Sequence, residues 1–155
     1  MDGVNSPVVT PDETSQLLQR FKAGEIDEAG VLRVLCAAPI DDLGFAQVDA
    51  HRSLRQGFPE IIFGSGKTPG QVAAIAAKVM EHEERVLITR ANADHAAAVR
   101  GVFPDAVHEE SARCIAVEAR RLAKRPGNIA VLCAGTSDLP VADEAAVTAD
   151  FMGNE

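Results

Sequence analysis

Helix-spaced apolar residues open this chain, and from residue 58 onward short continuous apolar runs alternate with helix-spaced segments. Thr10-Pro11-Asp12-Glu13 is a capping box with proline at the first helical position, so a helix is expected from Pro11 to the break at Gly24, with Leu17, Leu18 and Phe21 on one face. A second short helix is expected from Asp27 to Ala37, with Val31, Leu32, Leu35 and Cys36 inward and Pro39 as its stop. This hairpin has a narrow apolar stripe, suited to an appendage or docking element. Residues 41–60 show no clear period.

Ile61-Ile62-Phe63 predicts a short strand closed by Gly64. Thr68-Pro69-Gly70-Gln71 is another capping box, followed by Val72, Ile75, Ala76, Val79 and Met80 at the spacing of one helical face. Val86–Thr89 predicts a strand, and Asn92 caps a short helix to about Arg100. Residues 102–107 suggest a return strand after Pro104, and residues 113–118 fit strand or helix alike, with strand the preferred reading. The alternation points to a small α/β unit over roughly 58–119. Arg120-Arg121-Leu122-Ala123-Lys124-Arg125-Pro126-Gly127 is charged and then broken, the composition of a linker. After it, Ile129–Ala134 is an apolar run fit for a buried strand. It stops at Gly135, and Pro140 opens a helix.

Composition narrows the function classes. The apolar fraction of 46% permits a core, built without Trp or Tyr from Leu, Ile, Val and six Phe. No run approaches the ~20 apolar residues of a bilayer span, and Met1–Asn5 lacks the charge and apolar stretch of a secretory signal, so a cytoplasmic protein without membrane partners is expected. A net charge of −8 speaks against a nucleic-acid partner. Cys36, Cys114 and Cys133 are odd in number, dispersed and in apolar settings, which argues against a disulfide framework or a zinc site. Cys133, within the apolar run, is expected to be a buried and unreactive thiol. His82, His95 and His108 have no ligand spacing and no assigned role.

Three segments carry candidate chemistry. Gly64-Ser65-Gly66-Lys67-Thr68 resembles part of a P-loop, but the pattern needs a glycine five residues before Gly66, where Ile61 stands. Lys67 remains a candidate point charge for an anion. Arg52 and Arg55, three apart beside His51, would share a helical face and could clamp a carboxylate or phosphate. The plainer reading pairs them with Asp41, Asp42, Asp49 or Glu60. Gly135-Thr136-Ser137-Asp138 sits where a strand meets a helix N-terminus. There, free amides, two hydroxyls and the positive helix end can hold an anion, and Asp138 can accept from a sugar hydroxyl. Alternatively the same side chains merely cap the helix.

Two long segments together carry a resemblance. One runs from Asp41-Asp42-Leu43-Gly44-Phe45-Ala46 through Val48-Asp49-Ala50-His51-Arg52 and Arg55-Gln56-Gly57-Phe58-Pro59-Glu60-Ile61-Ile62-Phe63-Gly64 to Gly66-Lys67-Thr68-Pro69. The other is Ala134-Gly135-Thr136-Ser137-Asp138-Leu139-Pro140-Val141-Ala142 with Glu144-Ala145-Ala146. This pair resembles the LarB family of nickel-pincer cofactor biosynthesis, whose C-terminal domain is similar to aminoimidazole ribonucleotide carboxylase (PurE-like). The resemblance implies an enzyme that carboxylates the pyridinium ring of nicotinic acid adenine dinucleotide with CO2 and hydrolyses its phosphoanhydride, yielding AMP and pyridinium-3,5-biscarboxylate mononucleotide. It also implies a homo-octamer, no tightly bound cofactor, and Mg2+ only in company with the phosphates. The first strand-to-helix loop of the carboxylase-like sheet binds nucleotide phosphate and ribose, which falls on Gly135, Thr136, Ser137 and Asp138.

The expected fold is therefore α/β, with a helical N-terminal segment (1–40), a small α/β domain (41–119), a linker (120–127) and the first strand and helix of a truncated, doubly wound PurE-like sheet (128–155). The family activates its electron-poor ring with a cysteine thiolate. None of the three cysteines here matches that residue, so the chain is expected to be catalytically incomplete. A non-catalytic nucleotide-binding or assembly module is the alternative.

Overall fold

The computed structural model describes residues 11–35, 40–49 and 60–154; Thr10, Cys36, Pro39, His51, Arg52 and Arg55 lie outside them. The chain divides into two compact units, residues 1–57 and 58–155.

In the first unit, helix α1 spans Pro11–Lys22 and α2 spans Glu28–Leu35. Gly24 adopts φ +73° after α1, the left-handed turn that ends a helix without a Cβ penalty. Asp27 starts α2, accepting from the Gly30 amide at 2.7 Å. Leu17 and Val31 are buried, whereas Leu18, Phe21 and Leu32 are exposed, so the stripe is narrower than the spacing suggested. Strands β1 (Ile40–Asp42) and β2 (Gln47–Asp49) form an antiparallel hairpin in a stretch without a clear period. Strands of three residues are too short to show alternation.

The second unit is α/β. Strands β3 (Glu60–Phe63), β4 (Arg85–Thr89), β5 (Val107–Glu109) and β6 (Cys114–Glu118) form one mixed sheet in the order β3-β4-β6-β5. β3 and β4 are parallel and joined through helix α3 (Pro69–Met80), while β4/β6 and β6/β5 are antiparallel. Helix α4 (Ala93–Arg100) follows β4. Both predicted caps form reciprocally: Thr68 with Gln71, and Asn92 with His95. β5 begins at Val107, where the expected return strand was to end. Residues 102–106 are instead turn, because Phe103 and Val102 bond back to Val99.

Register assigns the two faces. Val86, Ile88, Ile115 and Val117 are buried on one face, toward α3 and α4. Leu87, Cys114 and Ala116 lie on the other and pack with Phe151 and Val147 of helix α5 (Leu139–Phe151). Every residue of β4 is therefore buried. On the α5 face the outer strands are bare: Phe63 is 57% exposed and Val107 50%. One helix is too narrow to cover four strands.

The apolar run before α5 departs from expectation. Residues 128–134 pair with neither sheet, and Leu132 is 92% exposed. A strand without a neighbour has no ladder to satisfy its backbone, so water keeps it. Cys133 is accordingly exposed, not buried. Residues 120–127 run exposed, yet they are fastened to the end of α5: Arg125 N donates to Gly153 O at 2.7 Å, and Lys124 pairs with Asp150.

Candidate functional site

The direction of α5 decides what gathers at one end of the sheet. Arg85, the first residue of β4, donates to the carbonyl of Phe151, the last residue of α5. Arg90, just past β4, places Nε 2.7 Å from Glu144 Oε2. The alignment is too poor for a hydrogen bond, so this contact is an ion pair by proximity. α5 thus runs antiparallel to β4. Leu139, five residues before Glu144, lies about 7.5 Å farther along the helix axis, past the carboxyl end of β4. The turn after β3 (Gly64–Thr68) stands at the same end, as does Arg113, whose carbonyl accepts from Ala91 N at 2.8 Å. Open α/β sheets bind ligands outside the carboxyl ends of their parallel strands.

At the α5 start, Thr136–Asp138 form a 3-10 turn that runs into the helix, closed by Asp138 N donating to Gly135 O at 3.0 Å. Asp138 is already helical at φ −90°, ψ −13°, so it cannot cap as an extended residue would, and it makes no side-chain cap bond. The extended residue is Gly135, which has no side chain to cap with. A Cβ on Gly135 would sit 3.3 Å from Asp138 Oδ2 and 3.5 Å from Ser137 Oγ, so glycine makes room for those two polar groups. Thr136, Ser137 and Asp138 are exposed. The helix-capping reading of these side chains is not what the geometry shows.

Lys67 lies at the same end, but its ammonium donates to Phe63 O at 2.8 Å. Gly64 N donates to Thr89 O at 2.8 Å, tying the two parallel strands together as they finish. This tight turn offers no wrapping loop for a triphosphate. Arg52 and Arg55 lie outside the described residues, so only Lys67 and Gly135–Asp138 of the predicted set are seen at this end.

Sequence reasoning passed over His95. It is buried; its Nδ1 accepts from Asn92 N at 3.1 Å, which leaves Nε2 to donate to Lys67 O at 2.9 Å. It joins the start of α4 to the turn after β3. Arg90, Arg113 and Glu144 were also passed over. A charged residue directly after a β-strand and before the Asn92 cap was the available signal for Arg90. Cys114 is fully buried, and burial pushes its thiol up to about 11; Glu144 adds to the rise, while Arg113 and Arg90 oppose it. No group of three metal-ligating side chains occurs among the described residues, and no helix among them is long and apolar enough to cross a membrane.

Residues 40–120 match the LarB/PurE-like N-terminal domain family. The chain belongs to this family. The matched range takes in the β1–β2 hairpin and the whole four-stranded sheet, and ends before the α5 segment. As a LarB/PurE-like N-terminal domain, the chain is also similar to an uncharacterized protein of Methanocaldococcus jannaschii, 29% identical over 115 residues. That alignment covers 70% of this chain and 45% of the relative, so the chain spans about half the length of the protein it matches.

Proposed function

We propose that this chain is the nucleotide-receiving N-terminal part of a LarB-type enzyme and does not complete the reaction alone. The reaction is carboxylation of nicotinic acid adenine dinucleotide with CO2 and hydrolysis of its phosphoanhydride, giving AMP and pyridinium-3,5-biscarboxylate mononucleotide for a nickel-pincer cofactor. The observation that supports the reading is the uncapped Gly135–Asp138 turn at the start of α5, a helix that runs antiparallel to β4 and so begins toward the carboxyl end of that strand. The Thr136 and Ser137 amides and the positive end of α5 receive phosphate, the Asp138 amide being held by Gly135 O. Thr136 and Ser137 supply hydroxyls, and the Asp138 carboxylate accepts from ribose. Mg2+ enters only with the phosphates.

Incompleteness rests on the two thiols among the described residues, Cys114 and Cys133. The ring requires a thiolate to become electron-rich. Cys114 is buried with its pKa raised, the wrong direction for a nucleophile. Cys133 is exposed but lies in the unpaired run, without a rigid element to aim it.

Two measurements test the reading. Calorimetry with the dinucleotide and with AMP is expected to show binding that Asp138→Ala weakens; no heat at millimolar ligand rejects it. Incubation with the dinucleotide and bicarbonate is expected to release no AMP, and sustained AMP release rejects the incompleteness.

A second reading, self-association, draws on Ile129, Val131, Leu132, Phe63 and Val107, all solvent-exposed. Exposed apolar strands invite pairing with another copy. A single monomeric species in sedimentation at every concentration rejects it.

A further inference from the structure

Arg90 and Arg113 both hold left-handed backbone, at φ 53° and 52°. Such positions disfavour a side chain, and glycine or asparagine fills them at less cost. The two backbones are fastened together by the Ala91 N to Arg113 O bond of 2.8 Å, so two guanidinium groups spring from adjoining points at the carboxyl end of β4. Both charges act on the thiol of Cys114, which places them in one neighbourhood with Glu144.

Their partners are unequal. Glu144 stands against Arg90. Arg113 forms no ion pair among the described residues, and its Nε is withdrawn from solvent with no acceptor. Glu109 also faces Cys114 across the β5–β6 ladder, but its side chain is exposed to water. Glu110 offers Arg113 only a backbone carbonyl, accepting from the Arg113 amide at 3.2 Å. An N–H left without an acceptor is costly, and the Arg113 side chain is only half-buried, so its fork has donors left to offer an incoming oxygen. α5 directs its N-terminus past this end of the sheet, which adds to the positive potential there.

We propose that Arg113, with Arg90 beside it, forms an oxyanion subsite that takes a phosphate or carboxylate group of a small molecule at the carboxyl end of the sheet. The subsite rests on the nucleotide-binding reading for the identity of its ligand, not for its existence. Arginine suits it because its fork meets two oxygens of one such group. Glu144 is a positioning residue that holds Arg90 in place until an anion arrives.

The test is a nitrogen-15 NMR titration of the whole chain with three probes: inorganic pyrophosphate, AMP and nicotinate. Saturable shifts of the Arg113 and Arg90 Nε–H signals and of the Ala91 and Cys114 amides are expected with at least one probe. Arg113→Gln is expected to weaken that binding about tenfold with thermal unfolding unchanged. Arg113→Lys, which keeps the charge but loses the fork, serves if the glutamine variant does not fold, and is expected to weaken binding as well. Shifts confined to residues 135–139 overturn the subsite and leave the loop reading standing. Shifts at Arg90 and Arg113 with a silent loop support the subsite and reject the loop reading. No shift with any probe, or shifts that sodium chloride reproduces at equal ionic strength, overturn the subsite.

Discussion

Arg85 places its guanidinium carbon 4.1 Å from the ring centroid of Phe151 and donates to the same residue's carbonyl. One contact stacks a cation on an aromatic face, and the other satisfies a carbonyl at the end of α5 that the helix cannot. Nε and Nη2 of Arg85 meanwhile hold Glu118 at 2.9 and 2.6 Å. A residue at the start of β4 thus clasps the neighbouring strand and the last helix together. It fixes which way α5 points, and therefore where the Gly135–Asp138 turn emerges.

Phe151→Ala should empty the centre of the cluster formed by Leu87, Ala112 and Cys114. A loss of about 3–5 kcal/mol is expected for a buried phenylalanine. Urea unfolding followed by circular dichroism measures it, and a loss below 1 kcal/mol would mean that α5 is not seated on the sheet.

Glu118→Ala leaves the buried Arg85 without its carboxylate, and a cost of about 3 kcal/mol is expected. Replacing both residues by leucine should recover much of that loss, since the desolvation penalty disappears with the pair. A double-mutant cycle on unfolding free energies reads the coupling; additivity would show that the two do not interact.

Gly64→Ala brings a Cβ within 3.0 Å of Thr89 O and 3.3 Å of Arg90 O, both backbone atoms. The strands must part to accept it, and about 1–3 kcal/mol of destabilisation is expected. Amide exchange should rise first at Gly64, where the bond to Thr89 O is lost. Unchanged protection there would refute the close approach.

The raised pKa of Cys114, from 9.0 to about 11, has a defined sign. The folded state holds the thiol proton more tightly than the unfolded chain. Stability from this group is therefore complete below pH 9 and is lost as pH rises toward 11. Unfolding midpoints between pH 8 and 11 should fall less in Cys114→Ala than in the parent. A thiol reagent at pH 8 should modify Cys133 at once and Cys114 only on unfolding; equal rates would contradict the burial.

Leu132→Ser should change stability by less than about 0.5 kcal/mol, because the side chain is already in water. A large destabilisation of the monomer would show that the run packs against its own sheet.

The elements legible from sequence were those whose signals are local. Thr68 with Gln71, Asn92 as a cap, and the apolar spacing of α3 write their helices within a few residues, and the run Val86–Thr89 is apolar enough to announce a central strand; the His95 half of the Asn92 cap came only with the structure. A capping box or a helical stripe is a short-range energy, so the chain carries it wherever it folds.

Tertiary structure decided what depends on a neighbour. Pairing made strands of Ile40–Asp42 and Gln47–Asp49, which have no period of their own, and its absence left the strongly apolar 128–134 run in water. The extension of α5 by a 3-10 turn moved the cap position onto Gly135 and freed Asp138, and the clasp of Arg85 on Phe151 set Arg90, Arg113 and the Gly135 turn at one end of the sheet. Ladders, ion pairs and buried faces need two partners brought together from far apart along the chain, and no window of sequence contains both.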